Sequence, residues 1–241
     1  KGYLTGNVNI TGSLRSPSIN GTLFIFNAEY EYPIYGIKLK NISSKIISKG
    51  EKISIVNFIA EDIYSNVLEG QGDLSLRNNI LFRFCVNTKK FNIVNTPYLR
   101  GEVGGRLVFS GDSKKALATG VFDLGPMEIK IPENFADNIP IINIVKAINH
   151  DKIVYPIQNK PYILNLNLDL NTKNQVYVRG RGVNTLLSGN LKITNNVFNP
   201  YIFGKLRSVR GRYQEFGKLF TVKEGVLTFN GPISPSPYLN I

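Results

Sequence analysis

The chain has 241 residues, 42% of them hydrophobic, which is enough apolar material for a substantial interior and excludes wholesale disorder. No run approaches 18 uninterrupted apolar residues, so no segment reads as a membrane-spanning helix. The formal net charge is +12 and the pI about 9.7, but the cations are scattered as singles and pairs without a block of five. That pattern fits solvated strand faces better than a nucleic-acid footprint.

In chain order, alternation dominates. It appears in "GNVNI" (Val8, Ile10), "GDLSL" with its continuation (Leu74, Leu76), "GRLVF" (Leu107, Phe109) and "PMEIKIP" (Met127, Ile129, Ile131). The clearest case is "YILNLNLDLN", where Leu164, Leu166, Leu168 and Leu170 share one face and Asn165, Asn167, Asp169 and Asn171 the other. "VYVRG" (Val176, Val178), "GNLKI" (Leu191, Ile193) and "GVLTF" (Leu227, Phe229) follow. Period two over such lengths predicts strands buried on one side. Turn signals at Lys49-Gly50, Asn78-Asn79, Lys173-Asn174 and Glu224-Gly225 separate about sixteen strands by short connections, so antiparallel neighbours are expected. One segment departs, residues 138–151, where Ile142, Val145 and Ile148 would share a face of a short helix; its β-branched content argues against that helix.

A repeat is also present. Leu4–Leu23 aligns with Leu187–Leu206, and a weaker copy begins at Val103. In all three copies two glycines stand fifteen residues apart: Gly6 and Gly21, Gly105 and Gly120, Gly189 and Gly204. Repeated strand-turn-strand units predict a sheet that grows along one axis. A sheet of sixteen strands does not stay flat, so it curls into a trough or folds into a closed sandwich. Periodicity alone leaves both open.

Catalytic constellations are missing. One histidine (His150) and one cysteine (Cys85) leave no two-histidine or zinc-knuckle metal site, and neither "GxSxG" nor "GxxxxGK" occurs. Cys85 in "ILFRFCVNT" reads as a small buried hydrophobe. No enzymatic activity and no cofactor are expected. The "VRGRG" run at 178–182 and "SVRGRYQEFGKLF" hint at RNA binding, but both are embedded in strand patterns, so no nucleic-acid partner is expected. In "VRGRG", Val176, Val178 and the glycines are expected on one face, with Arg179 and Arg181 together on the other.

The C-terminal third, from Val176 to Ile241, resembles the C-terminal region of the TamB family. The carriers are "VYVRGRG", "LSGNL", "PYIFG", "RGRYQEFGKLF", "GVLTFNG" and "PYLNI", in that order. Two departures are Asn184, where the family tends to an acidic residue, and Asn195, which replaces the second glycine of the repeat. The match is strongest over 176–241, and residues 1–241 read as one continuous unit cut from a longer protein. The resemblance implies an all-β, elongated, curled antiparallel sheet forming a taco-like open trough, which favours the trough over the sandwich. It also implies a periplasmic location in a protein anchored in the inner membrane of a diderm bacterium. The implied function is phospholipid conduction towards the outer membrane, together with outer-membrane protein assembly beside an Omp85-class barrel, TamA or BamA. On this reading the nineteen alternating apolar residues, from Val8 to Phe229, line a groove for phospholipid acyl chains. The alternative is a chaperone-like scaffold that binds unfolded β-strands of outer-membrane proteins without moving lipid.

Overall fold

The computed structural model describes residues 2–13, 16–77, 80–133, 162–173, 175–232 and 238–240. The expected helix over 138–151 and the Asn78-Asn79 turn lie outside the described residues. Among the described residues fifteen strands follow one another: β1 (Tyr3–Ser13), β2 (Ser16–Tyr32), a 3-10 turn (Pro33–Tyr35), β3 (Ile37–Lys49), β4 (Lys52–Glu61), β5 (Val67–Ser75), β6 (Leu81–Asn95), β7 (Leu99–Gly111) and β8 (Lys115–Lys130). Then come β9 (Ile163–Asn171), β10 (Val176–Gly180), β11 (Val183–Asn196), β12 (Tyr201–Glu215), β13 (Lys218–Val222), β14 (Val226–Pro232) and β15 (Tyr238–Asn240).

All fifteen belong to one sheet, and the strand order follows the chain order except that β9 shares a position with β10 and β13 with β14. The protein is all-β, and the sheet does not close into a barrel. It is mostly antiparallel, as short connections dictate. The exception lies where the connection is long: β9 and β10 both run parallel to β8. They occupy a single position between β8 and β11, β9 against the first half of β8 and β10 against its end. Parallel pairing follows because the chain leaves the end of β8 and returns beside its start.

Two expected turns prove to be jogs. Lys173, with φ 40°, lies in the break between β9 and β10, and the chain then continues in the same direction. Glu224-Gly225 likewise interrupts β13 and β14, which both pair antiparallel with β12. Residues that tolerate unusual backbone angles serve a break in a strand as readily as a reversal. Lys49-Gly50 behaves as expected, and the β3–β4 hairpin turns at Gly50, φ 63°.

The sheet bends. Register shifts interrupt β2–β3, β3–β4, β4–β5, β6–β7, β7–β8 and β11–β12, and each such bulge adds local twist. At one rim β3 and β6, three positions apart, touch over the shorter β4–β5 hairpin, with Gly36 packed against the Asn95 carbonyl. Beneath them Asp62, 2% exposed, ties the loop together. Its carboxylate accepts from the backbone N–H groups of Tyr64 (2.8 Å), Asn66 (2.9 Å) and Asn92 (2.8 Å) and from the Asn66 amide (2.8 Å). Burial pushes its pKa up, but these four donors outweigh burial and hold it below the usual carboxylate value.

The repeat has a geometric meaning. In each copy the glycines are diagonal neighbours across a hairpin: Gly6 faces Leu23 while Val8 faces Gly21, Gly105 faces Phe122 while Leu107 faces Gly120, and Gly189 faces Leu206 while Leu191 faces Gly204. At Gly204, φ is 127°, and a Cβ would run into the Asn190 carbonyl oxygen on the neighbouring strand. Only glycine permits that approach. The departure at Asn195 is conservative in conformation, because φ is 73° there and 91° at its counterpart Gly12.

Candidate functional site: an apolar face across the sheet

Directly paired residues point to the same side of a sheet, so the register decides which side chains share a face. On β9, Leu164, Leu166, Leu168 and Leu170 lie beside Ala116, Ala118, Gly120 and Phe122 of β8. On the other side of β9, Leu170 and Leu168 face Leu191 and Ile193 of β11, which face Gly204 and Ile202 of β12. Leu227 and Phe229 of β14 face Leu206 and Gly204. Met127 and Ile129 run beside Val176 and Val178. Leu107 and Phe109 face Val86 and Phe84 of β6. Leu74 stands between Ile53 and Phe82, and at the far edge Val8 and Ile10 face Gly21 and Ile19. Leu76 and Ile131 follow the last residues of β5 and β8 and stay tied to the neighbouring strands by bonds to the carbonyls of Glu51 (2.8 Å) and Arg179 (2.7 Å).

The nineteen sequence-chosen residues therefore belong to one alternation that continues from strand to strand. Through the central rows, from Val8 across to Phe229, no charged side chain is interposed among the described residues. The Leu168 row reads Leu4, Ile25, Ser44, Phe58, Gly70, Val86, Leu107, Gly120, Leu168, Ile193 and Ile202. The face is also open. Val176 is buried and Val8 and Ile10 are exposed, while the other sixteen are only half-buried. Full burial on this face falls on Val176 and its neighbours, on Phe91 and Val94 and on small residues such as Ala116 and Ala118, while the other large side chains named here stay partly exposed.

Closest packing occurs in a cluster the sequence reading did not single out: Val103, Leu124, Leu187 and Leu206, around Val176. Met127, Ile129, Leu170, Val178, Leu191, Leu227 and Phe229 pack against it. The missed residues stand in alternation with alanine and glycine, as in Ala116-Ala118-Gly120-Phe122-Leu124, which dilutes the hydrophobic signal. Phe82, Phe84 and Phe109 form a further aromatic group on the same face, with ring centroids 5.0 Å (Phe82–Phe109) and 5.9 Å (Phe82–Phe84) apart.

Charge collects on the opposite face. Lys192 meets Asp169 at 3.7 Å, Lys52 meets Asp73 at 3.0 Å and Arg179 meets Glu128 at 3.1 Å. The Ser54 hydroxyl, donating at 2.6 Å, and then Lys52 hold the Asp73 carboxyl below its ordinary value. Arg179 points away from Val176 and Val178, with its guanidinium 5.6 Å from the Tyr177 ring centroid. Arg181 corrects the expectation that "VRGRG" is all strand. β10 ends at Gly180, and Arg181-Gly182 (φ 51° and 79°) form the two-residue turn into β11. Both left-handed angles fit the primed turn that strand twist demands of a two-residue hairpin. Cys85 is buried, with its thiol 3.1 Å from the Arg106 Nε, and among the described residues no cluster of His, Cys, Asp and Glu could hold a metal ion.

An open sheet with one uncharged apolar face is an architecture on which known proteins can be compared. Along its whole length the chain is 19% identical to the translocation and assembly module subunit TamB of Haemophilus influenzae, and it spans 19% of that relative's length. The family model for the TamB C-terminal domain matches residues 57–241, which takes in every strand from β5 to β15. The match thus reaches well upstream of the motif-rich last third, and the chain belongs to the TamB C-terminal domain family.

Proposed function

We propose that this chain is a periplasmic segment of a TamB-like protein and conducts phospholipids along its apolar face towards the outer membrane. The observation that carries the reading is the set of half-buried aliphatic rows, uninterrupted by charge, running from strand to strand across the sheet. An acyl chain of about 15 methylenes loses roughly 12 kcal/mol of hydrophobic stabilisation in water, at about 0.8 per methylene. A continuous apolar surface keeps the chain dry while the headgroup stays hydrated. Without a charged anchor in the central rows, where serines such as Ser44 are the polar exceptions, no single position holds the lipid, so it slides. The inner-membrane anchor and the work with an Omp85-class barrel in outer-membrane assembly come with the same reading. They draw support from family membership and from the relative's name.

The test is photocrosslinking in cells. A photoreactive side chain at Leu166 or Phe109 is expected to give phospholipid adducts, and one at Asn167, on the opposite face, is not. Equal labelling at all three positions, or none at Leu166 and Phe109, sinks the conduit.

A further inference from the structure

We infer that the β12–β13 hairpin is a contact for an anionic lipid bilayer, inserted tip-first, on a part of the molecule separate from the apolar face. The hairpin turns on two residues, Phe216-Gly217, with φ 48° and 73°. A bulky aromatic in the left-handed region is penalised relative to Asn or Gly, which this turn type favours. Phe216 recovers nothing from packing, because it is 95% exposed. Backbone strain without an internal return points to a partner outside the chain.

What surrounds the tip identifies that partner. One step behind Phe216, Leu219 (62% exposed) and Phe220 (51% exposed) present apolar surface on the two faces of the hairpin. From Phe216 back to Phe220 a strand rises about 10 Å, the depth to which interfacial elements enter the boundary between headgroups and acyl chains. Immediately behind this zone are Arg212 and then Arg210, neither in an ion pair among the described residues. With Arg179 and Tyr177 they border a cleft of about 560 Å³ at the base of the hairpin. Lys218 sits beside the turn, with a stem long enough to return its ammonium to the headgroups. Glu215, whose carboxylate accepts from the Tyr213 hydroxyl at 2.6 Å, faces Lys218 across the turn, so these two charges offset at the tip and the net positive charge lies in the Arg212 and Arg210 collar behind Phe216, Leu219 and Phe220, the polarity profile of an anionic bilayer read from inside to outside.

The opposite end of β12 supplies the contrast. Phe198, 77% exposed, also tips a turn there, but its neighbours are Asn195, Asn196 and Asn199 instead of cations. Exposure alone therefore does not distinguish the two turns; charge does.

The chain contains no tryptophan, so Phe216→Trp introduces a sole reporter. Added to vesicles of phosphatidylcholine with phosphatidylglycerol, Phe216→Trp in the 241-residue chain is expected to shift its emission to the blue and to be quenched by brominated acyl chains. Phe198→Trp is expected to do neither. Arg210→Gln with Arg212→Gln, folding checked by circular dichroism, weakens vesicle binding about 25-fold, at roughly fivefold per cation near the surface. The inference is overturned by an unshifted Phe216→Trp, by an equal shift in Phe198→Trp, or by unchanged binding of the double glutamine variant. A shift seen only with a purified outer-membrane barrel and never with vesicles overturns it in favour of protein docking. Leu168→Asp, which damages the apolar face, leaves the Phe216→Trp shift in place, so failure of the lipid conduit and failure of this contact are told apart.

Discussion

Replacing Leu168 by aspartate places one carboxylate in the middle of the apolar rows, between Gly120 and Ile193. Leu168 is only half-buried, so the empty protein folds and the carboxylate stays hydrated. An acyl chain lying over it removes that hydration. The carboxylate can always escape by taking a proton, which sets a ceiling on the cost: from a reference pKa of about 3.9, at about 1.36 kcal/mol per unit, roughly 4 kcal/mol at pH 7. The ceiling corresponds to about a thousandfold loss of lipid passage. At pH 5 it falls to about 1.5 kcal/mol, so acidification restores about a hundredfold. The assay is transfer of a fluorescent phospholipid between donor and acceptor vesicles as a function of pH, with Leu168→Asn and Asn167→Asp as controls. Leu168→Asn lacks the pH rescue, and Asn167→Asp, on the charged face, transfers as the parent does. Transfer by Leu168→Asp that equals the parent at pH 7, or a loss that ignores pH, refutes the reasoning.

Other outcomes follow from single positions. Gly204→Ala forces a Cβ into the Asn190 carbonyl at φ 127°, and is expected to lose more than about 3 kcal/mol in urea unfolding. Gly50→Ala, with open space around it, loses only about 1 kcal/mol. Asp62→Asn sets an amide donor against donors that now share a carboxylate, and is expected to cost about 1–3 kcal/mol at pH 7. The folded pKa of Asp62 is lowered, so its contribution is complete above the unfolded value and is lost as pH falls from about 3.9 through the folded one; Asp62→Asn lacks that share of acid sensitivity. Phe216→Asn gives the hairpin a residue that its turn prefers, and is expected to raise stability by about 0.5–1 kcal/mol while abolishing vesicle contact.

Much of the sheet was legible because alternation is a local signal. Leu164 to Leu170 cannot occupy one face of a helix, and their Asn and Asp neighbours name the wet side. The glycine spacing was legible as a repeat, but its meaning needed the register: only with Gly6 set against Leu23 and Gly189 against Leu206 does a fifteen-residue interval become a diagonal pair. The parallel seam was hidden because no local chemistry distinguishes β9 entering beside β8 from β9 opening a new hairpin. The jog at Glu224-Gly225 was hidden for a related reason, since glycine marks a departure from regular strand without saying whether the chain turns back. The turn at Phe216 was hidden inside "SVRGRYQEFGKLF", which reads as strand, because a phenylalanine before Gly217 looks like strand, where Asn would have announced the turn.

The position shared by β9 and β10 also fixes an order of assembly. β1 through β8 add one hairpin at a time, each closing a short loop, and β10 through β12 do the same before β13 and β14 add in turn to β12. Neither half needs the other until β8 meets the composite strand, and that meeting joins Lys115 to Ile163 and Met127 to Val176. Such distant parallel pairs carry a larger loop-closure entropy than any hairpin in the molecule. Formation of the seam is therefore expected to be slower than closure of the hairpins, and until it forms β8 would present a bare strand edge beside an unfinished apolar surface. A newly made chain would be most open to aggregation during that interval, and substitutions at Thr172, whose hydroxyl bonds both the N–H and the carbonyl of Gly189, would lengthen it.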